Sequence, residues 1–429
     1  MEFRDIGPDT EGIISFEGND AKRFHNPFLV ALQAMLGDSV FEDYKQQNLY
    51  LVPRYVPLKW LLADTIDEKK NAAMEWLFSH CNIEEECAYW PYDYPAEYAG
   101  RKISVGWHSA YAQAYVVFAM LFFFCKTGEA RYSQMARLAA NGLVKEIAQG
   151  GCAHPIGTDE LWFDEIPEGE CSYIYNAHLV SLLALYEIRN RLDCCDYDWA
   201  IQAGEKAFLH LAYGMNTGTK SAYAFQQKID HCTILMDIAS APNASVLIGD
   251  FAIANADECR KVDLSRQSCF DTAPIYASGI DWSAEVDGNG CRRVALGRFV
   301  REKAVEGGAI HNTYINISDF PLKEKVCRIS FKYSVSSETE IILKKNTEKG
   351  FLPLGGSCSL RLSPGSGEKT VCMSSNSFFD DVSDVYHKYH IELLHELSAY
   401  MDNPIVKKLL DDFSAYSADE NFPKGELQS

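Results

Sequence analysis

The sequence predicts a mainly α protein: an α/α toroid of about four helical hairpins with an inserted β-rich, sandwich-like domain. Apolar residues recur with a helical period from about residue 26 to residue 215. Short runs rich in Val, Ile, Thr and Phe, separated by glycine turns, then extend to about residue 380. The helical period returns after that. We therefore predict one domain from helical segments 1–229 and 381–429, with the β-rich domain inserted at 230–380. Paired helices with short loops equally fit a plain helical array, because no strict sequence repeat marks a ring.

The predicted helices share an apolar face and typical terminal signals. Asn26 and Pro27 form a cap and first-turn pair, and Gly150 with Gly151 is a stop signal. The predicted helices are Asn26–Tyr44, Glu68–His80, Ser109–Lys126, Ala130–Gln149, Tyr173–Leu192, Tyr197–Leu211, His387–Met401 and Pro404–Tyr416. The apolar run Ala114–Cys125 is shorter than the roughly 20 residues that a membrane span needs, so we predict a buried helix there and no membrane span.

The predicted strands are short and end at Asp-Gly, Gly-Gly, Pro-Gly or Ser-Gly turns. They are Cys232–Ala239, Ala244–Asn255, Arg292–Val300, Val326–Tyr333, Thr339–Leu343, Ser357–Leu362 and Lys369–Ser374.

Composition and charge exclude several classes of protein. The chain has 429 residues, of which 47% are hydrophobic and 23% charged, as is typical of a globular protein and not of a disordered one. A net charge of −20 argues against nucleic-acid binding and means that an anionic substrate needs a local cationic pocket. The segment Met1–Asp9 lacks the apolar region of a signal peptide, so we expect a cytoplasmic protein whose 14 cysteines are free thiols.

Aromatic and polar residues occur together just before or at the start of three predicted helices. The stretches are Trp90–Gln113, Trp162–His178 and Asp384–Glu392. In a toroid, helix starts line one mouth, where aromatic faces stack on sugar rings and polar groups bind hydroxyls. For any single stretch, packing in the core is the alternative interpretation.

The same stretches resemble the C-terminal domain of the D-glucuronyl C5-epimerases, which act on heparosan-type polysaccharides. The similarity is carried by the ordered strings Gly-Trp-His-Ser-Ala-Tyr-Ala-Gln, Trp-Phe-Asp-Glu-Ile-Pro, Tyr-Asn-Ala-His-Leu-Val-Ser-Leu-Leu-Ala-Leu-Tyr-Glu and Tyr-His-Lys-Tyr-His-Ile-Glu-Leu-Leu. It spans roughly residues 26–228 and 384–416 and does not include the β-rich region. The resemblance implies an α/α-barrel epimerase without an organic cofactor, which removes the C5 proton of glucuronate and returns one from the opposite face to give iduronate.

The resemblance also implies site residues. Its motif tyrosine falls on Tyr386, its glutamate on Glu165, and a second tyrosine on Tyr223, and these are the predicted catalytic residues. Predicted substrate-binding residues are Trp107, His108, Gln113, Trp162, Asn176, His387, His390 and Arg101. Two positions depart from the family pattern, since Ile166 replaces a tyrosine and Ala224 replaces an aspartate.

Other interpretations of these residues remain open. His387 and His390 share a helix face and could bind a metal, although no third ligand is evident, and we predict no metal site. Asp164 and Glu165 could form a glycosidase acid pair.

At the level of the whole protein, no dinucleotide or P-loop motif follows a predicted strand, so we predict no cofactor. The expected partner is an acidic polysaccharide or oligosaccharide, with no nucleic acid, and the inserted domain is a candidate for covering the cleft, holding polymer or forming a homodimer. A uronate lyase and a non-catalytic polysaccharide-binding protein are the alternative functions.

Overall fold

The computed structural model describes residues 3–18, 21–39, 55, 57–98, 101–238, 246–256, 258–262, 275–278, 292–293, 314–322, 325–347, 350–355, 359–379 and 381–418. The chain divides into two compact units. We call Met1–Ala212 together with Asp384–Ser429 the helical unit, and Tyr213–Ser383 the β unit.

The helical unit contains the α-helices of the described chain, and several begin at the predicted signals. The Asn26 side chain accepts a hydrogen bond from the backbone N–H of Phe28, and that of Ser109 accepts one from Tyr111, so both cap their helices. In chain order the helices are α1 Pro27–Leu36, α2 Leu58–Leu61, α3 Glu68–Ser79, α4 Ala110–Thr127, α5 Ala130–Val144, α6 Tyr175–Leu192, α7 Asp198–Leu211, α8 Asp384–Ser398 and α9 Pro404–Ala418.

Two of these helices are shorter than predicted. Helix α1 ends at Leu36 because Gly37 adopts a φ of 65°, which stops the helix, and residues 40–44 of the prediction lie outside the described chain. Helix α5 ends at Val144, after which a separate 3-10 helix covers Ile147–Gln149.

Short antiparallel strands join the helices. Strands β1 Phe3–Pro8, β2 Ile14–Gly18 and β3 Arg23–Phe24 form a three-stranded sheet ahead of α1. Three hairpins lie between later helices, and their strands are β4 Asn82–Glu84 with β5 Cys87–Tyr89, β6 Ala96–Tyr98 with β7 Arg101–Ile103, and β8 Ala153–Pro155 with β9 Leu161–Phe163.

The core of the helical unit is built around α4 and α6, which pack on each other. Helix α4 is buried from Ala110 to Phe123 and α6 from Tyr175 to Ile188. Helix α4 is long and apolar enough to cross a membrane by length and composition, but 78% of it is buried inside the fold. It is therefore the core helix that its apolar sequence predicts.

The β unit contains two antiparallel sheets. The six-stranded sheet has the order β13-β15-β10-β17-β18, with β19 paired to β17. The five-stranded sheet has the order β12-β11-β16-β20, with β14 paired to β11. In chain order the strands are β10 Lys228–Ile238, β11 Val246–Ala254, β12 Cys259–Val262, β13 Ile275–Ser278, β14 Arg292–Arg293, β15 Tyr314–Pro321, β16 Val326–Val335, β17 Thr339–Thr347, β18 Gly350–Pro353, β19 Ser359–Leu362 and β20 Gly365–Ser374.

Burial alternates along these strands, as expected of sheets with one face in a core. In β16, Cys327, Ile329 and Phe331 are buried at every second position. The residues between them are exposed or half-buried.

The prediction of a mainly α, toroidal protein is wrong. The structure is 42% helical and 29% strand, with several antiparallel sheets. The prediction failed because the linkers of the helical unit pair as strands over only two or three residues in each hairpin partner, and such short runs carry no detectable period.

Candidate active site

Glu165 lies on a tight loop between β9 and α6, half-buried. Its neighbour Asp164 is fully buried and organises the loop. The Asp164 carboxylate accepts hydrogen bonds from the backbone N–H groups of Ile166, at 3.3 Å, and Ser172, at 3.0 Å, and from the Ser172 hydroxyl. Burial raises the pKa of Asp164, and these hydrogen bonds oppose that rise. The loop that carries Glu165 is therefore held at both ends by one carboxylate.

Three tyrosines on the preceding hairpin region lie close enough to Glu165 to sense its charge. They are Tyr92, Tyr94 and Tyr98. Burial is the main cause that raises the pKa of each phenol, and the negative charge of Glu165 adds to it. All three phenols are consequently protonated at neutral pH, so each is able to donate a proton or a hydrogen bond.

Trp107 is part of the same aromatic group. Its ring stacks on Tyr92 with the centroids 3.9 Å apart and the planes at 5°, and its Nε1 donates to the Tyr94 carbonyl at 3.0 Å. Backbone hydrogen bonds from Tyr92 to Trp107 and from Gly106 to Tyr92 align the two segments. Trp107 is half-buried, so part of this predicted substrate-binding side chain is accessible.

Arg101 fixes the far side of the Glu165 loop. One guanidinium nitrogen donates to the carbonyls of Glu168, at 2.8 Å, and Glu170, at 2.7 Å. The guanidinium carbon lies 6.0 Å from the centre of the Tyr98 ring. Arg101 thus places a positive charge beside Tyr98 and on the loop that carries Glu165, in a protein whose net charge is −20.

The chain neighbours of Glu165 and Tyr386 both reach the first turns of α4. The carbonyl of Asp164 accepts a hydrogen bond from the N–H of Ala110. The Tyr389 hydroxyl, one turn after Tyr386 in α8, lies 2.9 Å from the Tyr111 hydroxyl and 3.0 Å from that of Tyr115. Tyr386 itself is half-buried in the first turn of α8.

The two predicted histidines of α8, His387 and His390, are buried. His387 packs edge-on against Phe413, with ring centroids 5.1 Å apart. His390 is completely buried, and burial followed by the charge of His387 lowers its pKa to about 3. His390 is therefore neutral at neutral pH and provides no positive charge for a substrate carboxylate.

Three other predicted substrate-binding residues lie in the core. Trp162 is fully buried and stacks on His178 at 4.1 Å, and Asn176 is 2% exposed. Gln113 is fully buried, and its amide hydrogen-bonds to backbone groups at Ala88, Trp90 and Ala139. These side chains have no open face on which a sugar ring could rest.

The remaining predicted residues lie in two places. His108 is half-buried, its ring is 4.7 Å from that of Tyr89, and burial lowers its pKa. Tyr223 belongs to the β unit, where it is half-buried and follows Ala222, whose backbone pairs with Asp381.

Within the described residues, three potential metal ligands come together at a place that does not include the histidine pair of α8. They are His154, Asp164 and Cys171, and their ligand atoms lie within 4.8 Å of one another. Sequence reasoning missed this cluster, and it also missed the tyrosines around Glu165. The string Trp90-Pro-Tyr-Asp-Tyr94 is notable for its composition, but only the tertiary structure shows that its tyrosines lie near Glu165.

Comparison with known families adds to this geometry. Residues 84–238 match the family model of the D-glucuronyl C5-epimerase C-terminus. The family predicted from the sequence is thus confirmed over this part of the chain. The matched segment contains Glu165, Trp107, Arg101 and the three tyrosines near Glu165, which are Tyr92, Tyr94 and Tyr98. Tyr386 lies outside it. No curated protein matches the chain.

Proposed function

We propose that this protein is a uronosyl C5-epimerase that inverts glucuronate residues of an acidic polysaccharide or oligosaccharide to iduronate. The observation that carries the proposal is the family match across the Glu165 loop, together with the protonated phenols near that glutamate and the Arg101 guanidinium beside Tyr98. The finer points, namely the polymer and the reacting residues, rest on the chemistry that follows.

The C5 hydrogen is α to a carboxylate and is only weakly acidic. Its removal needs a general base, and the carboxylate charge must be offset so that electrons can move from the C5–H bond into an enediolate. Inversion then needs an acid that delivers a proton to C5 from the opposite face. General acid–base groups of this kind contribute about 10²- to 10⁴-fold in rate.

We assign the base to Tyr386 and the offsetting charge to Arg101. Tyr98 is the candidate acid within the helical unit, because it is half-buried and protonated next to Glu165. Glu165 accepts hydrogen bonds from sugar hydroxyls. Tyr223 remains a sequence prediction for the second phenol.

The test is incubation with heparosan-like polymer in heavy water, followed by NMR. Deuterium at C5 together with iduronate, without chain cleavage, is the expected result. Ultraviolet absorbance of an unsaturated uronate would instead identify a lyase. Polymer binding without exchange at C5, across several glucuronate and mannuronate polymers, would identify a non-catalytic binding protein and refute the proposal.

Matched variants test the residue assignments. Tyr386→Phe and Tyr98→Phe should each lower the exchange rate by about 100-fold or more. Glu165→Gln, which replaces a charged acceptor of sugar hydroxyls by a neutral one, should lower it by about 10- to 100-fold. Glu170→Gln, an exposed residue of the same loop, should leave it unchanged. An assignment fails if its variant exchanges deuterium at the rate of Glu170→Gln.

A further inference from the structure

Three side chains of different chemistry converge beneath the Glu165 loop. His154, Asp164 and Cys171 each offer one ligand atom, and these atoms all lie within 4.8 Å of one another. His154 and Cys171 are half-buried and Asp164 is buried, so the cluster lies just below the surface. None of the three is assigned to proton transfer, although Asp164 and Cys171 lie close enough to Tyr98 for their charges to act on its phenol.

Backbone pairing and hydrogen bonds of neighbouring residues hold the three side chains in place, and the Cys171 thiol also hydrogen-bonds to Asp164. His154 pairs with Trp162 across the β8–β9 hairpin, and Asp164 follows that hairpin directly. Cys171 lies between Glu170, whose carbonyl accepts from Arg101, and Ser172, whose N–H and hydroxyl donate to Asp164. The three ligand atoms are therefore placed in advance, which reduces the cost of ordering a binding site.

The cluster also leaves polar atoms that protein groups do not satisfy. His154 Nδ1 is buried and has no hydrogen-bond partner among the described residues. The Asp164 carboxylate is completely buried, and the groups that donate to it, the N–H of Ile166, the N–H and hydroxyl of Ser172 and the Cys171 thiol, are all neutral. A buried carboxylate and a buried ring nitrogen with no partner are costly, and a cation would satisfy both.

We propose that His154, Asp164 and Cys171 bind a divalent transition-metal ion, with Zn²⁺ as the occupant. Nitrogen, oxygen and sulfur together suit borderline-soft Zn²⁺, whereas Ca²⁺ and Mg²⁺ take oxygen ligands. Zn²⁺ ligands lie about 2.0–2.3 Å from the ion, so neighbouring ligand atoms of a tetrahedron are about 3.3–3.8 Å apart. Since the three ligand atoms lie within 4.8 Å of one another, they must approach by at most about 1.0–1.5 Å to reach that spacing.

Binding of Zn²⁺ releases one proton and orders the loop that carries Glu165. The Cys171 thiol gives up its proton to solvent as its sulfur bonds to Zn²⁺, and the fourth position is left for water. Because Asp164 and Cys171 bracket the loop, the ion fixes the backbone of Glu165. The three ligands position that glutamate and do not touch the sugar.

The test is metal binding by the full chain under reducing conditions. Competition with a chromophoric chelator should show about one equivalent of tightly bound Zn²⁺, and Co²⁺ in its place should give a thiolate-to-cobalt charge-transfer band. Removal of one ligand in His154→Gln or Cys171→Ser should weaken binding by about 100-fold or more, and Ser172→Ala, which removes a support of Asp164, by about 10- to 100-fold.

Matched controls separate this site from surface thiols and imidazoles. Cys125 and His395 are exposed, so Cys125→Ser and His395→Gln should bind Zn²⁺ like the wild type. The proposal is overturned if wild-type protein gives no thiolate-to-cobalt band, or if Cys171→Ser and His154→Gln keep full affinity. Should Cys171→Ser fail to fold, the wild-type cobalt spectrum and His154→Gln still decide. Because no substrate is involved, the result is independent of the C5-exchange assay.

Discussion

Replacement of Gln113 by methionine distinguishes a packing role from a sugar-binding role. Gln113 is fully buried at the start of α4, and its side-chain oxygen accepts from the Trp90 N–H at 3.3 Å. Its amide nitrogen donates to the carbonyls of Ala88, at 2.8 Å, and Ala139, at 3.3 Å. Methionine has nearly the same length and shape but fulfils none of these bonds.

The magnitude follows from the groups left without partners. Each buried polar group that loses its hydrogen bond costs about 1–3 kcal/mol. Ala139 lies in the interior of α5, where its carbonyl also accepts a helical bond, so the main losses are at Trp90 and Ala88. We expect Gln113→Met to lower the free energy of unfolding by about 2–6 kcal/mol.

Urea unfolding followed by tryptophan fluorescence measures this change. Of the 7 tryptophans, all except Trp282 belong to the helical unit, so the signal reports mainly on that unit. With a slope of about 3 kcal/mol/M, the unfolding midpoint should fall by about 0.7–2 M. The matched control Gln202→Met, at an exposed position of α7, should stay within about 0.5 kcal/mol of the wild type. A midpoint for Gln113→Met equal to that of the control, combined with weaker polymer binding, would refute the packing role.

Two further predictions concern the packing of α6, α7 and α8. Burial lowers the pKa of both His178 and His390 to about 3, so below their ordinary pKa of 6.5 the unfolded chain binds protons that the folded chain excludes. The free energy of unfolding should therefore fall as pH drops from 6.5 towards 3, by up to about 2.7 kcal/mol per pH unit for the two groups. A urea midpoint that stays constant between about pH 6.5 and pH 4.5 would contradict this. Gly204→Ala should destabilise the helical unit by about 1–3 kcal/mol, because a Cβ there would lie 2.8 Å from Phe163 and 2.9 Å from Leu182. The control is Gly157→Ala, at an exposed position of the same unit where a Cβ would meet only the Glu160 side chain; equal melting temperatures for the two variants would show that the reasoning is wrong.

Local sequence determined where the long helices lie and several of their ends. The apolar period of α4 and α6, the caps at Asn26 and Ser109 and the glycine at 128 act within a few residues of each other, so they can be inferred without a fold. The ordered motifs were likewise sufficient to predict the family over residues 84–238. The strand-rich region was recognisable too, since runs such as Val326–Tyr333 alternate at period two and became β16.

The tertiary structure alone decided which polar and aromatic side chains meet. Trp162 and Gln113 carried the composition of a sugar cleft, but the packing of α4 and α6 buries them. Tyr98 and Glu165, and likewise His154 and Cys171, come together only when short hairpins pair and the loop after β9 closes on Asp164. Such contacts depend on strand register and on partners distant in the chain. A helical or strand period records only which side of an element faces inward, so it contains no information about which partner the side chain will meet there.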